Sequence, residues 1–364
     1  MRSSFTLSLY FGRQFLFGIL TVLIVLAVLA YSFDTVELLR RASGRADATF
    51  DLVLQLSLLK LPTLMTKLFP FAVLFGSMLA LSRLTRSQEL TVSRAAGVSV
   101  WQFLFPGIAL ALLLGVFLVT VYNPLSAAML ARYESIEAKV LRGRSSMLAV
   151  SSGGLWLREA DATGQIVVHA LRVAQQGIEL RDAILFYYEG KDVFVKRIDA
   201  STALLQDGNW LLENAITSYP DKPAERHAQL RVPTTLTFDR IQESFASPNT
   251  VSFWELPGFI ATLEDAGFSA VKHRLYYYSL LASPVLLCAM LLIAASFSLR
   301  LTRRGGIGMM LAGGVGAGFL LYLSVELMQP FGLNGTLPVL LAAWAPTAVF
   351  VMLGISLLFH LEDG

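Results

Sequence analysis

Q-F-L-F-G-I-L-T-V-L-I-V-L-A-V-L-A-Y-S-F, Gln14–Phe33, carries no Asp, Glu, Lys or Arg. A stretch of about 20 such residues is what a helix needs to cross the hydrocarbon core of a bilayer. Ala95–Ala131, Leu275–Leu299, Gly305–Val325 and Leu327–Leu361 are runs of the same kind, and Leu61–Ser82 is broken only by Lys67. A helix satisfies its own backbone hydrogen bonds, as lipid cannot, so each run reads as a crossing. The six runs fall in two groups of three. Charged residues make up only 15% of the 364, well under the roughly 25% of soluble domains. The expected architecture is an α+β membrane protein with six transmembrane helices (3+3). Residues 1–122 hold helices one to three, 123–274 an inserted β-domain, and 275–364 helices four to six. Gln14–Phe33 exceeds a signal-peptide core and lacks a small-x-small cleavage site after it, so it is expected to remain as a helix.

Basic residues in short loops mark the cytoplasmic side. Arg2 and Arg13 precede the first run, Arg83, Arg86 and Arg94 follow the second, and Arg300, Arg303 and Arg304 follow the fourth. All lie on one side if each run crosses once. Both termini are then cytoplasmic, and the large insertion faces outward. The loop Asp34–Asp51 is the exception, since it lies on the outer side with Arg40, Arg41 and Arg45 among the acids Asp34, Glu37, Asp47 and Asp51.

The insertion reads as strands. Gln165–Val173 alternates, Ala183–Tyr188 and Asp192–Ile198 flank Glu189-Gly190, and Ala200–Leu205 and Trp210–Ile216 flank the turn signal Asp207-Gly208-Asn209. Short strands at this spacing suggest a sandwich or jelly roll. Phe253–Ala266 reads as a short helix ending at Gly267.

Catalytic signals are missing. No G-x-x-x-x-G-K-[ST] occurs, and His169, His227, His273 and His360 lack metal-ligand spacing. No catalytic residue, metal site, cofactor or nucleic-acid partner is expected. The lone Cys288 reads as a small core residue. The glycines of Gly305–Gly318 read as close helix packing rather than a phosphate loop. Two features carry a functional signal. Arg40, Arg41, Lys60 and Lys67 form a basic set toward the outer side, where ionisable groups at membrane depth face a partner or a cavity; this suggests an anionic ligand, with snorkelling as the alternative for Lys60. On the cytoplasmic side, R-L-T-R-S-Q-E-L-T-V-S-R-A-A-G, Arg83–Gly97, reads as a short helix offering Leu84, Leu90 and Val92 to a partner, or as an ordinary basic loop.

R-S-Q-E-L-T-V-S-R-A-A-G (Arg86–Gly97), the paired prolines Pro62 and Pro70, G-G-L-W-L-R-E (Gly153–Glu159) and L-P-V-L-L-A-A-W-A-P (Leu337–Pro346) together resemble the LptF/LptG permeases of the lipopolysaccharide export ABC transporter. The resemblance covers almost the whole chain, and the last two motifs sit nearer the LptG branch. It implies a heterodimer with LptF, a dimer of the ATPase LptB beneath, and a periplasmic jelly roll leading to a bridge of LptC and LptA. Arg83–Gly97 would be the coupling helix, with Glu89, Arg86, Arg94 and Gly97 at its contact with the ATPase. Lipopolysaccharide would enter a cavity between the two permeases, lined by helices one and five, with its phosphates against Arg40 and Arg41 and against Lys60 or Lys67, and with Phe69 among the residues that bind the lipid. Two departures bear on the individual contacts: Thr63 follows Pro62 where relatives can have a basic residue, and Leu280 stands before Pro284 where the family often has lysine. A different envelope ABC permease and a membrane-anchored sensor remain the alternatives on residues alone.

Overall fold

The computed structural model describes residues 5–43, 49–137, 147–151, 154–160, 164–174, 179–189, 193–206, 208–234, 247–265, 269–300 and 307–362. Helix α1 (Phe5–Ala42) and helix α2 (Phe50–Arg86) have 38 and 37 residues, about 55 Å each at 1.5 Å per residue. A short α3 (Glu89–Ala95) leads to α4 (Val100–Phe117), which runs through a π-helical turn, Leu118–Tyr122, into α5 (Asn123–Glu137). The third helical path therefore continues to Glu137, past the end of its apolar run at Ala131. Toward the C-terminus stand α7 (Val271–Arg300), α8 (Ile307–Leu333) and α9 (Val339–Glu362). Among the described residues, five helical paths are long and apolar enough to cross a membrane: α1, α2, α4 with α5, α7 and α9. Helix α8 is 27 residues long and carries Glu326 and Gln329 toward its C-terminal end.

The chain divides into two compact units. One comprises Met1–Tyr133, Ser252–Trp254 and Arg274–Gly364; the other, Glu134–Val251 and Glu255–His273. In the first, the core is built from Phe11, Phe15 and Ile19 of α1, Leu74, Met78 and Leu81 of α2, Phe103 and Leu104 of α4, and Met290 and Leu291 of α7. Lipid tails are as apolar as leucine, so burying leucine drives no association between membrane helices, and close backbone approach must do it. Gly18 and Gly76 provide it: a Cβ on Gly18 would lie 2.4 Å from the Gly76 carbonyl oxygen. Small residues also seat α8, since a Cβ on Gly313 would stand 2.7 Å from the Phe297 ring and one on Gly314 2.5 Å from Met78 Sδ. Within Gly305–Gly318, packing accounts for Gly313, Gly314 and Gly318, while Gly316 faces open space. On the outside of the bundle, Ile24, Val28 and Phe33 are well exposed, as expected where the solvent is hydrocarbon.

The second unit holds one seven-stranded antiparallel sheet, with β1 (Met147–Ser151), β2 (Gly154–Ala160), β3 (Gly164–Ala174), β4 (Glu179–Glu189), β5 (Val193–Gln206), β6 (Asn209–Ser218) and β7 (Glu225–Pro233). Strand order follows chain order, so the described strands form a meander without the Greek-key crossovers of a jelly roll. Successive strands are separated by only two to six residues, too few for a crossover, and Gly208, with φ of +73°, suits the bend into β6. The sheet is also creased. Asp182 and Asn214 both adopt the left-handed conformation, at φ 53° and 50°. Asp182 falls between the paired rows Arg181↔Thr202 and Ala183↔Ala200, facing Ser201, and Asn214 follows Glu213, which pairs with Thr202. At that row the buried side of three strands changes together, from Leu180 to Ala183, from Ala200 to Ala203 and from Leu212 to Ala215. The result is one core face on both sides of the crease. Trp210, Leu185 and Ile198 lie on it, and helix α6 (Leu256–Asp265) covers it with Phe259, Ile260 and Leu263.

Candidate functional site

Two groups of side chains at opposite ends of α2 concentrate the chemistry of the helical unit. At the first end, Glu37 in the last turns of α1 accepts hydrogen bonds from Arg40 Nε and Nη2, both at 3.0 Å, and from Arg41 Nε at 2.8 Å. One carboxylate thus holds two guanidiniums, whose side chains remain 77% and 53% exposed. A guanidinium carries five N–H donors, so Arg40 keeps three beyond its two bonds to Glu37, and the group retains a net positive charge.

Deeper, Lys60 of α2 donates to Asp34 Oδ1 of α1 at 2.5 Å and lies 5.6 Å from the centroid of the Tyr133 ring. Asp34 is buried, and its Oδ2 has no hydrogen-bond partner among the described residues. One turn away, Thr35 donates to the fully buried Ser57 at 3.0 Å. Further along α2, Thr63 is bonded to Ser126 of α5 at 3.0 Å, and the Tyr122 hydroxyl donates to the Pro62 carbonyl at 3.2 Å. Phe69 is buried edge-to-face against Tyr122, 5.4 Å between centroids. Lys67, by contrast, is exposed and has no hydrogen-bond or ion-pair partner among the described residues.

The five substrate-contact candidates therefore differ in setting. Arg40 and Arg41 share one exposed cluster, Lys60 is already paired, Lys67 is open, and Phe69 is packed in the core. In the sequence Asp34 and Glu37 stood out only as acids among the arginines of the outer segment; an acid closing one apolar run and a lysine opening the next was the available sign of the Asp34–Lys60 pair. Nothing in the sequence marked Asn123, a buried hub whose Nδ2 donates to Tyr276 OH at 2.8 Å while Oδ1 accepts from the Phe253 amide at 2.7 Å. Beside it, the Trp254 indole donates to the Thr120 carbonyl at 3.0 Å. Thr120 belongs to the π turn, where displaced carbonyls gain room for such partners.

At the other end, the chain forms an elbow. Helix α2 stops where Gln88 takes φ 60°, and α3 stops before Gly97 at φ 86°. Helix α4 then starts with a capping box, in which the Gln102 amide donates to Ser99 Oγ and the Ser99 amide donates to Gln102 Oε1. Glu89 sits in the first turn of α3 and Arg94 in the last, the placement that suits the helix dipole. Arg83, Arg86, Arg94 and Val92 are exposed and Glu89 is half-buried. The expectation that Leu84 and Leu90 are offered to a partner is corrected here. They are 1% and 5% exposed and belong to the core, because both lie on the side of the elbow that α2 turns toward the bundle. Among the described residues no group of three or more His, Cys, Asp or Glu could hold a metal ion.

Helices of membrane-crossing length and apolarity, joined in mid-chain to a β-sheet domain, define a multi-pass membrane protein. Comparison with known families gives the particular one. Residues 9–360 match the family described as lipopolysaccharide export system permease LptF/LptG, and the chain belongs to it. It is 25% identical over 357 residues to the lipopolysaccharide export system permease protein LptG of Haemophilus influenzae, covering 96% of both chains. It is likewise 25% identical over 366 residues to the protein of that name from Escherichia coli K12, covering 96% of this chain and 97% of the other. The chain is thus a permease subunit of the lipopolysaccharide export ABC transporter, a multi-pass protein of the inner membrane.

Proposed function

We propose that this permease is one half of a pair that lifts lipopolysaccharide out of the outer leaflet of the inner membrane and delivers it to a periplasmic bridge. In this reading the chain crosses six times, with both termini in the cytoplasm and the sheet domain in the periplasm. It pairs with LptF, couples to an LptB dimer that hydrolyses ATP, and hands its cargo toward LptC and LptA. The inner-side elbow Arg83–Gly97 is the coupling element, with Glu89, Arg86, Arg94 and Gly97 toward the ATPase.

Physical cost explains why such a machine is needed. Each methylene leaving hydrocarbon costs about 0.8 kcal/mol, so one twelve-carbon acyl chain costs roughly 10 kcal/mol, and a lipid with several chains does not leave unaided. The observation that carries the reading is the Arg40–Arg41 cluster. Two exposed guanidiniums share one carboxylate at the end of α1, and forked donors suit phosphate oxygens. Lys67, exposed further along α2, offers one more cation to the same anionic ligand.

The test is photocrosslinking of lipopolysaccharide to the assembled transporter in membranes, with Arg40 and Arg41 both changed to Glu. Strongly reduced crosslinking near α1, with the complex still assembled, is expected. Unchanged crosslinking rejects the rim as a head-group site.

A further inference from the structure

Two opposite charges at membrane depth remain unused by the contacts above. Lys67 lies near the middle of α2, and Glu326 lies on α8, seven residues or about 10 Å short of its end at Leu333. Both are exposed, and neither has a hydrogen-bond or ion-pair partner among the described residues. Ionisable groups in such positions are expensive and normally find partners.

They occupy facing ridges. On α8, Gly314, Gly318, Tyr322, Glu326 and Pro330 recur every fourth residue; on α2, Phe75, Phe71 and Lys67 do the same. Residues so spaced are neighbours along one helix face. The ridges touch at the Gly314–Gly318 level, where a Cβ on Gly318 would stand 3.1 Å from the Phe71 ring. Continued outward, they bring Tyr322 beside Lys67 and Glu326 one turn beyond, an axial offset of about 6 Å that a lysine side chain spans. Yet Tyr322 is 49% exposed, so α2 does not cover this part of the ridge. A proline follows each charge within about one turn, Pro330 after Glu326 and Pro70 after Lys67. Pro330 supplies no amide to the Glu326 carbonyl and Pro70 none to the Thr66 carbonyl, which loosens both helices next to the charges.

We infer that Lys67 and Glu326 form a latch: their ion pair draws the outer parts of α2 and α8 together when the transporter closes, and an anionic phosphate of the cargo holds Lys67 when it is open. The latch rests on the permease reading above. It gives Glu326 a definite task, to recapture Lys67 once the phosphate has gone and so make closure follow cargo release.

The experiment places spin labels at Leu58 and Phe331, both exposed, in the Cys288→Ser background of the assembled transporter in nanodiscs. The label distance is read without nucleotide and after trapping with ATP and vanadate. Shortening on trapping is expected in the parent, is expected to fail in Lys67→Glu and in Glu326→Lys, and is expected to return in the double exchange. Lipopolysaccharide release should fall at least about tenfold in each single variant and recover to within about threefold in the double. Full shortening in both single variants overturns the latch, and so does a double variant as impaired as the singles. Parent shortening abolished by both reversals and restored by the exchange, in a transporter that releases no lipopolysaccharide, upholds the latch and rejects the permease route instead.

Discussion

Lys60 Nζ lies 2.5 Å from Asp34 Oδ1 and ties the last turns of α1 to α2 about half a turn before Pro62. Asp34 keeps only 7% of its side chain exposed and Lys60 24%. A buried pair is weak evidence of net stabilisation, but removing one member leaves a charge stranded in low dielectric. Lys60→Met is therefore expected to destabilise the helical unit by about 3–5 kcal/mol. Asp34→Asn with Lys60→Met is expected to recover most of that. Thermal unfolding of the detergent-solubilised protein checks both; a single variant as stable as the parent shows that the pair does not hold α1.

The Gly18–Gly76 crossing gives a steric prediction. Any side chain on either glycine meets backbone of the other helix, with Ile19 Cα 2.4 Å from a Cβ on Gly76. Backbone cannot step aside as a flexible side chain can. Gly76→Ala is expected to force α1 and α2 apart and to reduce folded protein recovered from membranes severalfold, whereas Gly316→Ala, facing open space, should leave recovery unchanged. Size-exclusion profiles of the purified variants discriminate the two, and equal recovery removes the close crossing as a determinant of the bundle.

Much of this architecture was legible in the sequence, for a physical reason: charge-free runs near bilayer length admit few alternatives. Ranges inside the β-domain were less legible. Asp192–Ile198 and Ala200–Leu205 look like two strands because the inward parity changes beyond Ala200, yet residues 193–198 and 200–205 both belong to the continuous β5, bent at the crease. Alternation read along one strand cannot distinguish a chain break from a crease that neighbouring strands share. Among candidate residues, Arg40 and Arg41 stood out by charge placement, and the structure leaves both side chains exposed. The burial of Phe69 against Tyr122 and of Leu84 and Leu90 in the core was not legible, since periodicity marks an apolar face without saying what covers it.

Separate substitutions should divide the elbow into a folding part and a coupling part. Leu90 is buried, so Leu90→Ala is expected to cost about 2–5 kcal/mol of stability and to lower the melting temperature. Val92 is 66% exposed, so Val92→Asp should leave melting unchanged while weakening copurification of the ATPase. Glu89→Arg is expected to uncouple ATP hydrolysis from lipopolysaccharide release without loss of the folded chain. A Glu89→Arg transporter with normal release removes Glu89 from the coupling contact.

Conformation at Asn214 supports the last prediction. Its φ of 50° is one that asparagine tolerates and β-branched residues resist. Its Nδ2 also donates to Ser201 Oγ at 3.2 Å, and Ser201 in turn donates to the Glu213 carbonyl at 3.0 Å, so the side chain braces the crease from the neighbouring strand. Asn214→Val keeps the bulk of a strand residue but must hold a strained backbone, at a cost on the order of 1–3 kcal/mol. Asn214→Gly removes the brace and keeps the conformation available, so it should cost less despite glycine's poor strand propensity. Amide hydrogen exchange across β4–β6 in the full-length protein reads the difference, with faster exchange in the valine variant than in the glycine variant. The reverse order would mean that the left-handed turn is incidental and that ordinary strand propensity governs this part of the sheet.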